Sequence, residues 1–184
     1  MSGAEAYRRF LMGDDYGLEQ IIEIYKDSLI FFLMQYVKNP SVAEELTEDT
    51  FVAIAVKKPK FHDDARFKTW LFAIARNKAL NYLRSPWHKK RVTIEEAFIP
   101  TEMDCPEKRL LQEERYRQLY SAIKKLPKNQ REMVYLFYFE DMSISEAAAV
   151  IHKSRVQGSS ILARARRSLK TILTEEGFEY ENIS

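Results

Sequence analysis

A chain of 184 residues can form one domain or two small ones, and a net charge of only +2 does not by itself announce a nucleic-acid partner. Five glycines, six prolines and few alternating Val/Thr-rich runs point to an all-α chain. The lone Cys105 excludes an intrachain disulfide or a cysteine-based metal framework. No signal-like segment opens the chain and no apolar run reaches the roughly 18 residues of a membrane span, so a cytoplasmic protein without membrane insertion is expected.

Tyr16–Val37 repeats its apolar residues at a helical period, with Leu18, Ile21, Ile22, Tyr25, Leu29, Phe32, Leu33 and Tyr36 on one face. Asn39-Pro40-Ser41 ends that helix and starts another over Val42–Val56, apolar at Leu46, Ala53 and Ile54. This second helix carries Glu44, Glu45, Glu48 and Asp49 with no base among them. On charge alone such a run is a solvated face. Lys57–Arg66 holds Pro59, His62, Asp63 and Asp64 and reads as a loop. His62, Asp63 and Asp64 lack further ligands at suitable spacing, so neither a metal nor an acid–base role is assigned to them.

Phe67–Arg84 is the most informative stretch. Wound at about 3.6 residues per turn, it puts Leu71, Phe72, Ala75, Ala79, Tyr82 and Leu83 on one side. Trp70, Asn77, Asn81 and Arg84 fall on the other. An indole, two amides and a guanidinium suit nucleic-acid bases, which stack on aromatics and offer edges that amides can read. A buried tryptophan beside two solvated asparagines would give the same pattern, and the stripe alone leaves both readings open.

Charge is polarised along the chain. Arg76, Lys78, Arg84, Lys89, Lys90 and Arg91 follow one another without an acid, and so do Lys153, Arg155, Arg164, Arg166, Arg167 and Lys170. The stretch from Pro86 to Pro106 has three prolines and no clean period, which places an interdomain linker at residues 88–106 between domains 1–87 and 107–184. Pro106 suits the first turn of a helix running to about Leu126, and Asn129–Glu140 forms the next.

Ser143-Ile-Ser-Glu146 and Ser154-Arg-Val-Gln157 are two capping-box patterns a dozen or so positions apart. They bracket a short helix, Ile144–Ile151, and a His152-Lys153 turn before a longer basic helix. That is a helix-turn-helix pattern. Ile161, Leu162, Ala165, Leu169 and Ile172 form the inner face of the last helix. Ser160, Ala163, Arg164 and Arg167 point outward, with Ser159, Arg166 and Lys170 at the flanks. A solvated basic helix is the plain alternative. The two caps and the missing acids favour DNA.

With these residues in place, the chain resembles the bacterial RNA polymerase sigma factors of the extracytoplasmic-function class, from about Asp14 to Leu173. Three stretches carry the likeness in the family's order: Ala43–Phe51, Thr69–Asn77 with Asn81–Arg84, and Leu126-Pro127 leading to Arg164-Ala-Arg166. The resemblance implies two small helical domains, a sigma-two bundle and a sigma-four helix-turn-helix. It implies a non-enzymatic promoter-specificity subunit that needs no cofactor. Its partners would be promoter DNA, core RNA polymerase through the β′ clamp and β flap, and an anti-sigma factor by analogy.

Carried over by position, Glu44, Glu45, Glu48 and Asp49 would meet the clamp, with Glu48 standing where the family commonly has Gln. Phe61, His62, Asp63, Asp64, Arg66, Arg76, Asn77, Asn81 and Arg84 would handle the minus-ten element as single strand, the loop and Asn77 forming a pocket for a flipped base. In that pattern Trp70 braces the pocket. Ser159, Ser160, Ala163 and Arg164 would read the minus-thirty-five duplex while Lys153, Arg155 and Arg167 hold phosphates. Gly158 departs from the family's usual aliphatic residue, and helical glycine costs roughly 0.5–1 kcal/mol relative to alanine. Either a neighbour fills its place or the domain is loosely packed; the expectation is that Gly158→Val raises the melting temperature of the C-terminal domain. A stand-alone helix-turn-helix regulator is the alternative reading, and it leaves Trp70, Asn77, Asn81 and the acidic helix without a role. A helical protein-interaction module leaves the two basic blocks unexplained.

Overall fold

Short polar side chains start four of the helices. In a computed structural model that describes residues 2–59, 67–86 and 110–178, Ser2, Asn39, Ser143 and Ser154 each accept a hydrogen bond from a backbone N–H of the first turn that follows. They open α1 (Gly3–Leu11), α3 (Pro40–Lys57), α7 (Ile144–Val150) and α8 (Arg155–Glu175). The remaining helices are α2 (Tyr16–Val37), α4 (Phe67–Arg84), α5 (Leu110–Lys125) and α6 (Lys128–Tyr138), and there is no strand among the described residues. The chain divides into two compact units, Met1–Thr101 and Glu102–Ser184.

In the N-terminal unit α2 packs on α1, α3 and α4. Ile21, Leu29, Phe32 and Leu33 of α2 and Leu71, Phe72, Ala75 and Ala79 of α4 are buried, and the Phe32 and Phe72 rings meet at 5.2 Å between centroids. Burial of such side chains stabilises by about 1.5–3 kcal/mol each for the larger ones. Left-handed Lys38 ends α2, its N–H donating to the Met34 carbonyl, and Asn39 then caps α3 with Pro40 as its first residue. Thr47 and Thr50 can lie on the buried face of α3 because their hydroxyls donate back to the Ala43 and Leu46 carbonyls, at 2.8 and 2.7 Å.

The helix α1 has no counterpart in the sequence reading. Ser2 and Glu5 form its capping box, and Ala4, Ala6, Tyr7 and Phe10 are buried. Gly17 lets α2 cross it closely: a Cβ there would stand 2.3 Å from the Ala6 carbonyl oxygen.

In the C-terminal unit α5, α6 and α7 all pack on α8. Met133, Leu136, Ala147, Ala148, Val150, Ile161, Leu162 and Ala165 form its centre. Both predicted capping boxes are formed, and His152 takes a left-handed φ of 56° in the turn between α7 and α8. Lys153 N–H closes that turn onto the Ala148 carbonyl at 2.8 Å. Of the inner face read from the sequence, Ile161, Leu162 and Ala165 are buried, Leu169 and Ile172 are half-buried, and Leu173 joins them.

At Gly158 the structure decides between the two alternatives: a neighbour fills the place, and the expected gain from Gly158→Val is corrected. A Cβ on it would stand 2.7 Å from the Ala148 Cβ and 3.4 Å from both the Ile144 carbonyl oxygen and the Met133 methyl. The missing side chain is what lets α7 and α8 come together, so the neighbours already occupy the place that valine would need.

Candidate nucleic-acid interface

Helix α4 has two unlike sides because its apolar residues recur at helical spacing. Leu71, Phe72, Ala75 and Ala79 are buried, and Asn77, Asn81 and Arg84 are exposed on the opposite side. Trp70 begins the same outward stripe, yet it is only half-exposed. The ring of Tyr7 lies over it at 5.4 Å between centroids and Phe67 lies at 5.5 Å. The accessible part of the stripe therefore starts at Asn77. Arg76, grouped with these residues in the sequence, lies instead on the packed side, four residues after Phe72 and three before Ala79, and is 8% exposed. Phe61, His62, Asp63, Asp64 and Arg66 lie outside the described residues, as do Cys105 and the predicted linker.

Tyr7 touches both ends of the segment that contains the predicted loop. Its hydroxyl donates to the Pro59 carbonyl at 2.7 Å, and its ring meets Phe67 at 5.5 Å as well as Trp70. Burial pushes its hydroxyl pKa up to about 12. Tyr25 approaches Phe67 from α2, at 5.8 Å, and the Lys58 ammonium sits 4.7 Å over the Phe10 ring. This aromatic support was not foreseen. Its signal was present in Ser2-Gly-Ala-Glu5, a capping box followed by Tyr7 and Phe10 three residues apart.

Helix α3 turns Glu44, Glu45, Glu48 and Asp49 to solvent and buries Val42, Leu46, Phe51 and Ile54. Val52 and Val56 continue the acidic face towards the helix end and are exposed. The sequence reading passed over both. A face that is acidic at one end and apolar at the other has the make-up of a protein-docking surface more than of a solvated one.

On α8, Ser159, Ser160, Ala163, Arg164 and Arg167 are exposed, and Lys153 and Arg155 are exposed at its start. Small side chains between arginines leave room for a duplex to approach. Arg166 is held to one side: its Nε donates to the Tyr138 hydroxyl at 2.8 Å, and its guanidinium lies 5.8 Å from the centroids of both Phe137 and Tyr138. Beneath, Tyr135 donates to Glu140 at 3.0 Å, and burial together with that carboxylate raises its pKa far above the usual phenol value. Both outward faces thus rest on packed structure: the rings around Trp70 behind α4, and Gly158 against Ala148 behind α8. No helix among the described residues is long and apolar enough to cross a membrane.

Residues 21–89 match sigma-70 region 2, and residues 116–169 match sigma-70 region 4. The ECF RNA polymerase sigma factor SigM of Bacillus subtilis (strain 168) is 30% identical over 156 residues, covering 84% of this chain and 94% of that one. Two solved structures share the fold. CnrH, in complex with the cytosolic domain of CnrY, superposes with a TM-score of 0.64 at 24% identity, over 94% of this chain and 95% of that one. The sigma factor RpoE of Bartonella quintana, in complex with the anti-sigma factor NepR, superposes with a TM-score of 0.68 at 22% identity, over 85% and 96%. Two region matches in the family's order, on two helical units, and a relative 30% identical over most of both chains lead to one conclusion: the chain belongs to the extracytoplasmic-function sigma factors of the sigma-70 family.

Proposed function

We propose that this sigma factor binds core RNA polymerase through the acidic face of α3, takes the minus-ten element as separated single strand on α4, and reads the minus-thirty-five element as duplex with α8. The observation that carries the reading is the contrast between the two exposed faces. On α4 two exposed amides and a guanidinium, Asn77, Asn81 and Arg84, follow a tryptophan braced by Tyr7, a surface suited to unpaired bases. On α8 small residues alternate with arginines, a surface suited to a groove. No bond is made or broken in this work. Unstacking a base costs a few kcal/mol, and its capture against aromatic and polar groups offsets that cost.

Phe61, His62, Asp63, Asp64 and Arg66 complete the minus-ten surface in this proposal, with Asn77, Asn81 and Arg84 as its described part. Domains 1–87 and 107–184 divide the work between the two promoter elements. The β flap would meet the C-terminal unit, and an anti-sigma factor would bind the chain, as NepR binds RpoE.

The test is reconstitution. The purified chain is added to sigma-free core polymerase and transcripts are sought from promoter-bearing templates. Promoter-dependent transcripts are expected. Tight duplex binding without core, and no transcript, would favour a stand-alone regulator, and binding to neither would end both DNA readings.

A further inference from the structure

The recognition helix carries one apolar side chain that neither its stability nor the reading above requires. Val156 is the second residue of α8 and is 80% exposed. A β-branched residue there gains nothing for the helix. Exposure alone would carry little, since single apolar residues are common on protein surfaces. Its register carries more. Val156, Ser160, Ala163 and Arg167 stand at i, i+4, i+7 and i+11, one line along α8 on the side away from Gly158, Ile161, Leu162 and Ala165. All four are exposed, and α8 has no acid in that stretch.

The orientation of Val156 is set firmly. Ser154 and Gln157 hold the first turn of α8 in a capping box, with bonds of 3.2 and 3.0 Å. Two residues after Val156, on the opposite side of the helix, Gly158 is pressed against Ala148. In a helix-turn-helix protein the N-terminal residues of the second helix are the ones that reach base edges in the major groove. The base pairs offer one apolar group there, the C5 methyl of thymine.

We propose that Val156 is a specificity-determining residue of the minus-thirty-five contact, and that its side chain packs on a thymine methyl. The proposal rests on the reading of α8 as the duplex reader. Val156 adds a branched apolar contact at the leading end of a surface on which Ser159, Ser160 and Arg164 can read by hydrogen bond, Arg167 can hold phosphate and Ala163 leaves room for the duplex. It makes the preferred element one that contains a thymine opposite the first turn of α8.

Holoenzyme assembled from the full chain and core polymerase selects its preferred minus-thirty-five duplex from a randomised library. Each thymine in that duplex is then replaced by deoxyuridine, which removes the methyl and leaves pairing intact. At one position the wild-type holoenzyme should lose about four-fold in affinity, the value of one buried methyl-sized group. Val156→Ala should lose a similar factor on the thymine duplex and become indifferent to deoxyuridine at that position. A Val156→Ala holoenzyme as sensitive to the methyl as wild type, or a wild type indifferent at every thymine, would overturn the proposal while leaving the duplex reading intact. A wild type that selects no duplex sequence would overturn both. Circular dichroism of the variant controls for folding, which an exposed Val→Ala change in a helix should not harm.

Discussion

Helices α4 and α8, the two proposed DNA readers, rest on opposite kinds of support. Behind α4 stand large rings: Phe72 against Phe32 at 5.2 Å, and Phe67 and Trp70 against Tyr7. Behind α8 stand the smallest residues, Gly158 against Ala148 with Ala147 and Ala165 nearby. One helix is positioned by bulk that fills space, the other by the absence of bulk that would keep two helices apart. The same kind of substitution should therefore act in opposite senses in the two units. Removing volume is the dangerous change under α4, and adding volume is the dangerous change under α8.

The largest effect should come from emptying the first support. Phe72→Ala should destabilise the N-terminal unit by about 3–5 kcal/mol, because a ring-sized cavity opens between α2 and α4. Urea unfolding of the full chain should show that transition shifted and the C-terminal one unmoved. The converse change, Gly158→Val, should lower the stability of the C-terminal unit by about 1–3 kcal/mol through overpacking. Hydrogen exchange should place the loss in residues 144–175. Coupling sharpens the comparison. Gly158→Ala should be harmful alone and partly relieved by Ala148→Gly, which removes the atom that an added Cβ would meet at 2.7 Å. Full additivity of the two changes would show that the close approach is not what the glycine serves.

The two exposed faces should separate in function as their supports do in structure. Arg164→Ala should weaken recognition of the minus-thirty-five duplex by about 1–3 kcal/mol if the guanidinium reaches a base edge. Asn77→Ala should slow open-complex formation and change the preference at one minus-ten base, by about 0.5–1.5 kcal/mol for a lost hydrogen bond. Footprinting and permanganate reactivity on one promoter distinguish the two. Loss of only salt-sensitive, sequence-independent affinity in both variants would remove the assignment of base readers.

Much of this arrangement is legible in the chain because helical period and capping are local. The faces of α2, α3, α4 and α8, and the Ser143 and Ser154 caps, depend on residues within a few positions of one another. What escaped depends on atoms far apart in sequence. Gly158 looked like a gap because its own stripe lacks a side chain, and the Ala148 Cβ that occupies the gap belongs to another helix. The register of Trp70 leaves outward and buried placements both open, and what decides between them is Tyr7, reaching over from α1. Arg76 was within reach of sequence, since its spacing from Phe72 and Ala79 is that of the buried face, but its charge suggested DNA. Val156 lies on the outward line of α8 by its spacing, but an apolar side chain falls outside the polar pattern that points to DNA. The loop residues Phe61–Arg66 lie outside the described residues, and the resemblance alone speaks for them.

The smallest expected effect tests whether α1 belongs to the ring-filled support or merely lies upon it. Tyr7→Phe keeps the ring against Phe67 and Trp70 and removes only the hydroxyl that donates to Pro59. At neutral pH the loss should be about 0.5–1.5 kcal/mol, the net value of one hydrogen bond. The pH dependence carries a definite sign. The phenol titrates at 10.0 when unfolded and near 12 when folded, so its protonated form is favoured by folding. That contribution is fully present below pH 10 and is lost as pH rises through 12. Tyr7→Phe lacks it, so the stability gap between wild type and variant should narrow across that interval. A gap that stays constant from pH 9 to beyond the folded pKa would mean that the hydroxyl is not buried in the folded chain. In that case α1 would not grip the two ends of the segment between Pro59 and Phe67, and the support beneath α4 would end at Phe67.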